Sequence, residues 1–139
     1  IGHEPIEMIE SVHNFIGDDD IIRKGATPAA KGQKVIIPFN MRDGIAICEG
    51  KGSKEYNYSA PHGAGRIMSR TQARRTLSAD VLRGQMRDAG IFTTTAGCDT
   101  IDESPDAYKN MELILSNIRE TVDVIEFIKP AYNFKAGED

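Results

Sequence analysis

A histidine at position 62 stands in the stretch SAPHGAGRIMSRTQARR, residues 59–75, with Pro61 before it and Gly63, Ala64 and Gly65 after it. Small residues let a ligand come close to the backbone. A glycine-containing loop that opens a helix also offers unpaired N–H groups and the positive end of a helix dipole, which suits an anion. A neutral imidazole is a competent nucleophile toward phosphorus, and the adduct is a phosphoramidate. Arg66, Arg70, Arg74 and Arg75 follow, and Arg83 and Arg87 extend the basic run. Spacing alone favours a turn with an exposed histidine and a solvated basic helix behind it.

Other residues could join such chemistry. His13, in SVHNFI, reads either as a helix-end histidine or as one metal ligand. A zinc or manganese site needs three or more ligands. His3, His13, His62, Cys48, Cys98 and the acids show no CxxC or HxxxH spacing, so this chain alone is not expected to complete one. Arg23 and Lys24, in RKGATPAAKG, could hold a phosphate or simply sit on a surface loop. Tyr108 and Lys109, in DAYKN, read as a helix surface, and Lys135 as solvated.

The elements that would position these residues make an α+β pattern, short strands with flanking helices. Ile6, Ile9, Val12 and Ile16 lie at helical spacing and predict a short amphipathic helix over residues 1–16. GDDD, residues 17–20, is a polar turn. A short strand, a Gly/Pro-rich loop, a strand near 35–37 and a third strand in GIAICEGKG, ended by glycines, follow. Beyond Gly65, Ala73, Leu77 and Val81 recur every four residues, and Arg66, Arg70 and Arg74 project onto much the same face. Charge on the apolar face of a helix is unusual. It predicts arginines turned inward toward an anion, unless Ser78 caps a fresh helix. AGIFTTTAG suggests another strand. DESPDAYKNMELILSNIRETVDVIEFIKP predicts a long helix, capped by Ser104, with Pro105 in its first turn, Met111, Ile114, Leu115, Ile118 and Val122 as its stripe, and Pro130 as its end. A short extended piece closes the chain.

The 139 residues suffice for one domain with a modest core, and 40% hydrophobic and 27% charged residues are ordinary for a globular protein. The net charge of −4 argues against a generally basic nucleic-acid binder, although an acidic average can hide a local anion site. Two cysteines are too few for a disulfide scaffold and read as reduced thiols in a cytoplasmic protein. No apolar run approaches a membrane span, and no basic-then-apolar segment opens the sequence. Isoleucine, not methionine, is residue 1, so the chain reads as a piece of something longer.

Taken in order, HN at 13–14, RKGATPA at 23–29, IIP at 36–38, HGAGRIMSR at 62–70, DESPDAYK at 102–109, KP at 129–130 and FK at 134–135 resemble the C-terminal part of the RtcB-type RNA-splicing ligases. The resemblance runs through nearly the whole chain and makes residues 1–139 a single C-terminal catalytic portion of an RtcB-like fold. It implies an enzyme that uses GTP and manganese (Mn2+) to join RNA 3′-phosphate or 2′,3′-cyclic phosphate ends to 5′-hydroxyl ends through a histidine–GMP intermediate.

By the same resemblance, His62 would be the nucleophile, and Gly63, Ala64 and Gly65 would let the nucleotide approach. Arg66 and Arg70 would bind phosphate and neutralise charge in the transition state. His13 would be a manganese ligand, Lys24 would touch phosphate, Tyr108 would stack on guanine and Lys135 would bind its edge. The sequence departs from the family at PFNMRDG, where PGSMG is usual. Phe39 and Asn40 replace Gly and Ser there, so Asn40 falls in an altered nucleotide pocket. The family's other metal ligands, an Asp and a Cys in a DxGC-like motif and two further histidines, lie upstream of these residues. Two other readings remain: a truncated, non-catalytic module that binds nucleotide or RNA phosphate, and a phosphohistidine-forming enzyme acting on another substrate.

Overall fold

A computed structural model describes residues 8–12 and 14–135. Its centre is a three-stranded antiparallel sheet in the order β4–β5–β8, built from β4 (Lys34–Asn40), β5 (Gly44–Gly50) and β8 (Val122–Ile128). In β4 the alternating residues Val35, Ile37 and Phe39 turn inward and are buried, as do Ala46 and Cys48 of β5. Period-two burial is what a half-covered strand requires. The small inward residues of β5 leave room for α3 (Met111–Asn117), whose Ile114, together with Ile118 just beyond it, packs on the same cluster. Each such buried aliphatic side chain contributes roughly 1.5–3 kcal/mol. A second core gathers Met41, Leu82, Met86, Ile91 and Ile101 around α2 (Ala79–Asp88).

Smaller ribbons surround the sheet: β1 (Phe15–Ile16) with β2 (Ile22–Arg23), β3 (Ala26–Pro28) with β6 (Ser59–Pro61), and the parallel pair β7 (Phe92–Thr93) with β9 (Tyr132–Asn133). Helix α1 (Arg70–Thr76) is capped by the Ser69 side chain, which accepts from the Gln72 amide. This is the mixed α+β fold of the sequence reading. No helix among the described residues is long and apolar enough to cross a membrane, and both cysteines are free thiols, Cys48 buried and Cys98 exposed.

Three expectations change. The helix over 1–16 is not formed in its described part, and β1 occupies 15–16. Residues 11 and 12 are tied to β3 instead: the Thr27 hydroxyl donates to the Val12 carbonyl at 2.9 Å and pairs with the Ser11 hydroxyl at 2.8 Å. Residues 1–7 and His13 lie outside the described residues.

The long helix over 102–130 breaks into a tight helical turn at Pro105–Ala107, α3 and strand β8. Asn110, not Ser104, caps α3. Met111, Ile114, Leu115, Ile118 and Val122 do pack on one core, but Val122 reaches it from a strand. The β-branched run in VDVIEFI loses rotamer freedom in a helix and fits a pleated surface, and the open edge of β5 offers that run a backbone ladder.

Finally, Ser78 does start a fresh helix, so Val81 is exposed and the continuous projection from Arg66 fails.

Candidate functional site

Pro38 ties the sheet to the His62 loop. Proline cannot donate to a ladder and belongs on edge strands, and β4 is an edge. The register shifts between Pro38 and Asn40. The Pro38 carbonyl accepts the Ala64 amide at 3.0 Å, and a Cβ on Gly63 would stand only 3.1 Å from that oxygen. Glycine at 63 is thus what lets the loop lie against the strand.

On the other side, the His62 amide donates to the Gly25 carbonyl at 3.3 Å, continuing the β3–β6 pairing. Gly25 has φ +70°, and its amide donates to Asn14 Oδ1 at 2.8 Å. A Cβ at position 25 would lie 3.9 Å from Cδ2 and Nε2 of the His62 ring. Asn14, Gly25 and His62, from three separate sequence motifs, therefore form one assembly. Lys24, next to Gly25, is exposed and does not line the cavity described below.

His62 opens onto a cavity of about 700 Å³ at the end of the β4–β5 hairpin, where the two cores meet. Its walls bring together Asn40, His62, Gly63, Ala64, Gly65, Arg66, Arg70, Tyr108 and Lys135. Most of the residues singled out in the sequence thus converge, although they span nearly a hundred positions. Asn40 is committed to its own turn: its Oδ1 accepts from the amides of Arg42 and Asp43 at 3.0 and 2.9 Å, and its Nδ2 donates to Asp43 at 2.8 Å.

Arg66 is the knot of the far wall. Its backbone bridges to Tyr108, and its guanidinium lies 5.0 Å from the Tyr108 ring centroid. The same group donates to the Tyr108 hydroxyl at 3.2 Å, to Met68 O at 3.2 Å and to the Asp102 carbonyl. Arg70 and Arg74 approach the Asp102 carboxylate at 3.6 and 3.4 Å. Only Arg66 turns inward; Arg70 and Arg74 stay exposed, at 55% and 43%, and the anions that all three meet are the chain's own Asp102 and Glu103. Arg66 itself precedes α1 rather than riding on it.

Glu103 was not singled out in the sequence. It accepts from the Tyr108 hydroxyl at 2.6 Å and stands 3.6 Å from Lys135 Nζ. Burial, and then the bond to Glu103, push the Tyr108 phenol up to about 12. Tyr108 is therefore a neutral hydrogen-bond donor at physiological pH. Acids placed beside arginines are a charge signal, yet 28 to 37 residues separate them in sequence.

For a nucleotide the chemistry fits: cationic groups, an aromatic ring and a close-approach loop line one cavity, and Asn133 on its wall keeps a buried Oδ1 without a hydrogen-bond partner. For a metal the described residues do not suffice, since they hold no group of three or more His, Cys, Asp or Glu able to bind an ion.

Comparison with known proteins places these features in context. Residues 4–136 match the family described as tRNA-splicing ligase RtcB. The chain is 34% identical over 127 residues to the RNA-splicing ligase RtcB of Escherichia coli (strain K12), which covers 86% of this chain and 30% of that protein. It is 36% identical over 110 residues to the tRNA-splicing ligase RtcB of Aeropyrum pernix, covering 68% and 23%. It is 34% identical over 88 residues to the RNA-splicing ligase RtcB of Mycobacterium tuberculosis, covering 63% and 20%. The chain thus spans less than a third of the length of these relatives.

Proposed function

Because the chain belongs to the RtcB family, we propose that it is the C-terminal catalytic portion of a cytoplasmic RNA ligase that joins 3′-phosphate or 2′,3′-cyclic phosphate ends to 5′-hydroxyl ends, with GTP as the source of a histidine-linked nucleotide. The observation that carries this reading is the opening of the His62 loop onto a cavity shared with Arg66, Arg70, Tyr108 and Lys135.

In this reading a ring nitrogen of neutral His62 attacks the α-phosphorus of GTP. A P–N bond forms, the P–O bond to pyrophosphate breaks, and the imidazole sheds its other ring proton. An oxygen of the RNA 3′-phosphate then attacks the same phosphorus and releases His62. The 5′-hydroxyl finally attacks the activated RNA phosphorus, and GMP leaves. A 2′,3′-cyclic end must first be opened by water to the 3′-phosphate.

Gly63, Ala64 and Gly65 keep the histidine's surroundings low enough for the nucleotide to reach it. Arg66 and Arg70 oppose the charge that builds on phosphate oxygens. Tyr108 and Lys135 lie on the wall suited to the base, although one face of the Tyr108 ring already carries Arg66. Lys24, outside the cavity, would meet phosphate only where a longer substrate extends past Gly25. His13 would be this chain's contribution to a manganese site whose other ligands belong to a longer polypeptide, and no step is assigned to the metal.

One observation favours a non-catalytic nucleotide or RNA-phosphate module instead. Asp102 and Glu103 already lie against the arginines.

The two readings separate in one experiment. The full-length protein is incubated with manganese and α-labelled GTP, and the product is tested for an acid-labile, alkali-stable label. The ligase reading expects a label that maps to His62 and is absent from His62→Ala. Label retained by His62→Ala rules out this nucleophile, and reversible binding without label moves the module reading to first place.

A further inference from the structure

Four cavity-lining side chains from three separated stretches of the chain converge on one carboxylate. Glu103 Oε1 lies 3.5 Å from an Arg66 nitrogen and 3.8 Å from an Arg70 nitrogen. Glu103 Oε2 lies 2.6 Å from the Tyr108 hydroxyl and 3.6 Å from Lys135 Nζ. The carboxylate has little freedom of its own. Its side chain is 20% exposed, the preceding Asp102 is held by Arg66, Arg70 and Arg74, and the following Ser104 is buried and donates its amide to Ile101.

An ion pair that only stabilised the fold would need two partners and no cavity. Here one oxygen faces the cations near His62 and the other faces the phenol and the ammonium. Three cationic side chains and one carboxylate line the cavity, so it still attracts an anion after Glu103 is counted.

We propose that Glu103 is the positioning residue of the nucleotide site: its carboxylate holds Tyr108 and Lys135, which would meet the base, in fixed register with Arg66 and Arg70, which would meet phosphate. The proposal rests on the nucleotide-binding reading given above. Glu103 itself touches no reacting atom. It removes in advance the rotational freedom of long side chains, a loss that a nucleotide would otherwise have to offset on binding.

Glu103→Gln keeps the shape and an acceptor for the phenol but removes the charge. A hydrogen bond to a charged group is worth enough to change affinity about tenfold. In the full-length protein we expect the KM for GTP in covalent labelling to rise about tenfold, while the rate at saturating GTP stays within about twofold, the pattern of lost binding rather than lost chemistry.

Two further measurements read the same network without the labelling reaction. In an ultraviolet absorbance titration, the highest-titrating phenol should be missing from Tyr108→Phe and should move downward in Glu103→Gln. Lys135→Met removes one arm alone, and the Glu103→Gln, Lys135→Met double variant should bind GTP no worse than the worse single variant.

An unchanged KM together with an unmoved phenol overturns the proposal. So does full additivity of the double variant. If the wild-type protein takes no label from GTP, the ligase reading fails, and the Tyr108 titration then decides the role of Glu103 alone.

Discussion

Arg66 and Tyr108 are joined in three ways: their backbones form an isolated antiparallel bridge, the guanidinium lies 5.0 Å from the ring centroid, and it donates to the hydroxyl at 3.2 Å. The bridge also sets the loop after His62. The Lys109 amide donates to the Gly65 carbonyl at 3.0 Å, and the Ile67 amide to the Ala107 carbonyl at 2.9 Å. The His62 loop is therefore held from both flanks, by Pro38 on the sheet side and by residues 107–109 on the other.

Arg66→Lys keeps the charge but cannot keep a planar fork over the ring and reach Met68, Asp102, Glu103 and Tyr108 together. The expected loss is about 1–3 kcal/mol of stability, read as a shift in the urea midpoint. Tyr108→Phe should cost less in the Arg66→Lys background than in the wild type, because the two share one network. Equal costs in both backgrounds would show that the pair is not coupled.

Gly44 has φ +78°, and a Cβ there would stand 2.1 Å from the Ile128 carbonyl oxygen. Gly44→Ala should cost about 3 kcal/mol or more, from left-handed backbone strain plus overpacking against backbone. It should also open the cavity wall where β5 meets β8. Gly32→Ala is the control: its φ is +79°, yet nothing lies within 4 Å of the added methyl, so only about 1–2 kcal/mol of strain is expected. Thermal melts of the two variants check this, and a Gly44→Ala melt no lower than that of Gly32→Ala would refute the packing argument.

The two thiols should separate cleanly. Cys98 is exposed and Cys48 is buried, so alkylation at neutral pH should modify one cysteine in the folded protein and both after denaturation, counted by intact mass. Burial pushes the Cys48 thiol from 9.0 up to about 11. Below pH 9 both folded and unfolded chains hold that proton, so Cys48 adds no pH dependence and its stabilisation is fully present. Between about 9 and 11 the unfolded chain releases it first, so stability falls as pH rises through that window. Cys48→Ala should flatten this part of the stability–pH curve, whereas Tyr108, raised from 10.0 to about 12 by burial first, adds a second decline at higher pH. A curve equally steep with alanine at 48 would count against the burial argument.

Local pattern made part of this protein readable in advance. Short apolar runs near 35–37 and in GIAICEGKG, bounded by Gly and Pro, mark strands with no help from distant residues, and both strands form. The chemistry of HGAGR is legible from residue type, because small residues around an imidazole mean the same thing wherever the loop sits. Ser78 as the start of a new helix was legible as the alternative to a continuous one, although its side chain makes no capping bond.

Other features depend on partners far away in sequence. The stretch from 102 to 130 carries helical and strand periods at once, and only the free edge of β5 selects β8 for its second half. The arginine run was readable as a charge anomaly, but its counter-ions were not, because Asp102 and Glu103 lie 28 to 37 residues away and reach it only after the chain folds back. The commitment of Asn40 to its own turn, the Asn14–Gly25 bond behind His62, and the role of Glu103 as the meeting point of four side chains are likewise tertiary. Each is a hydrogen bond or ion pair between residues whose approach is set by packing, and packing depends on the whole sequence at once.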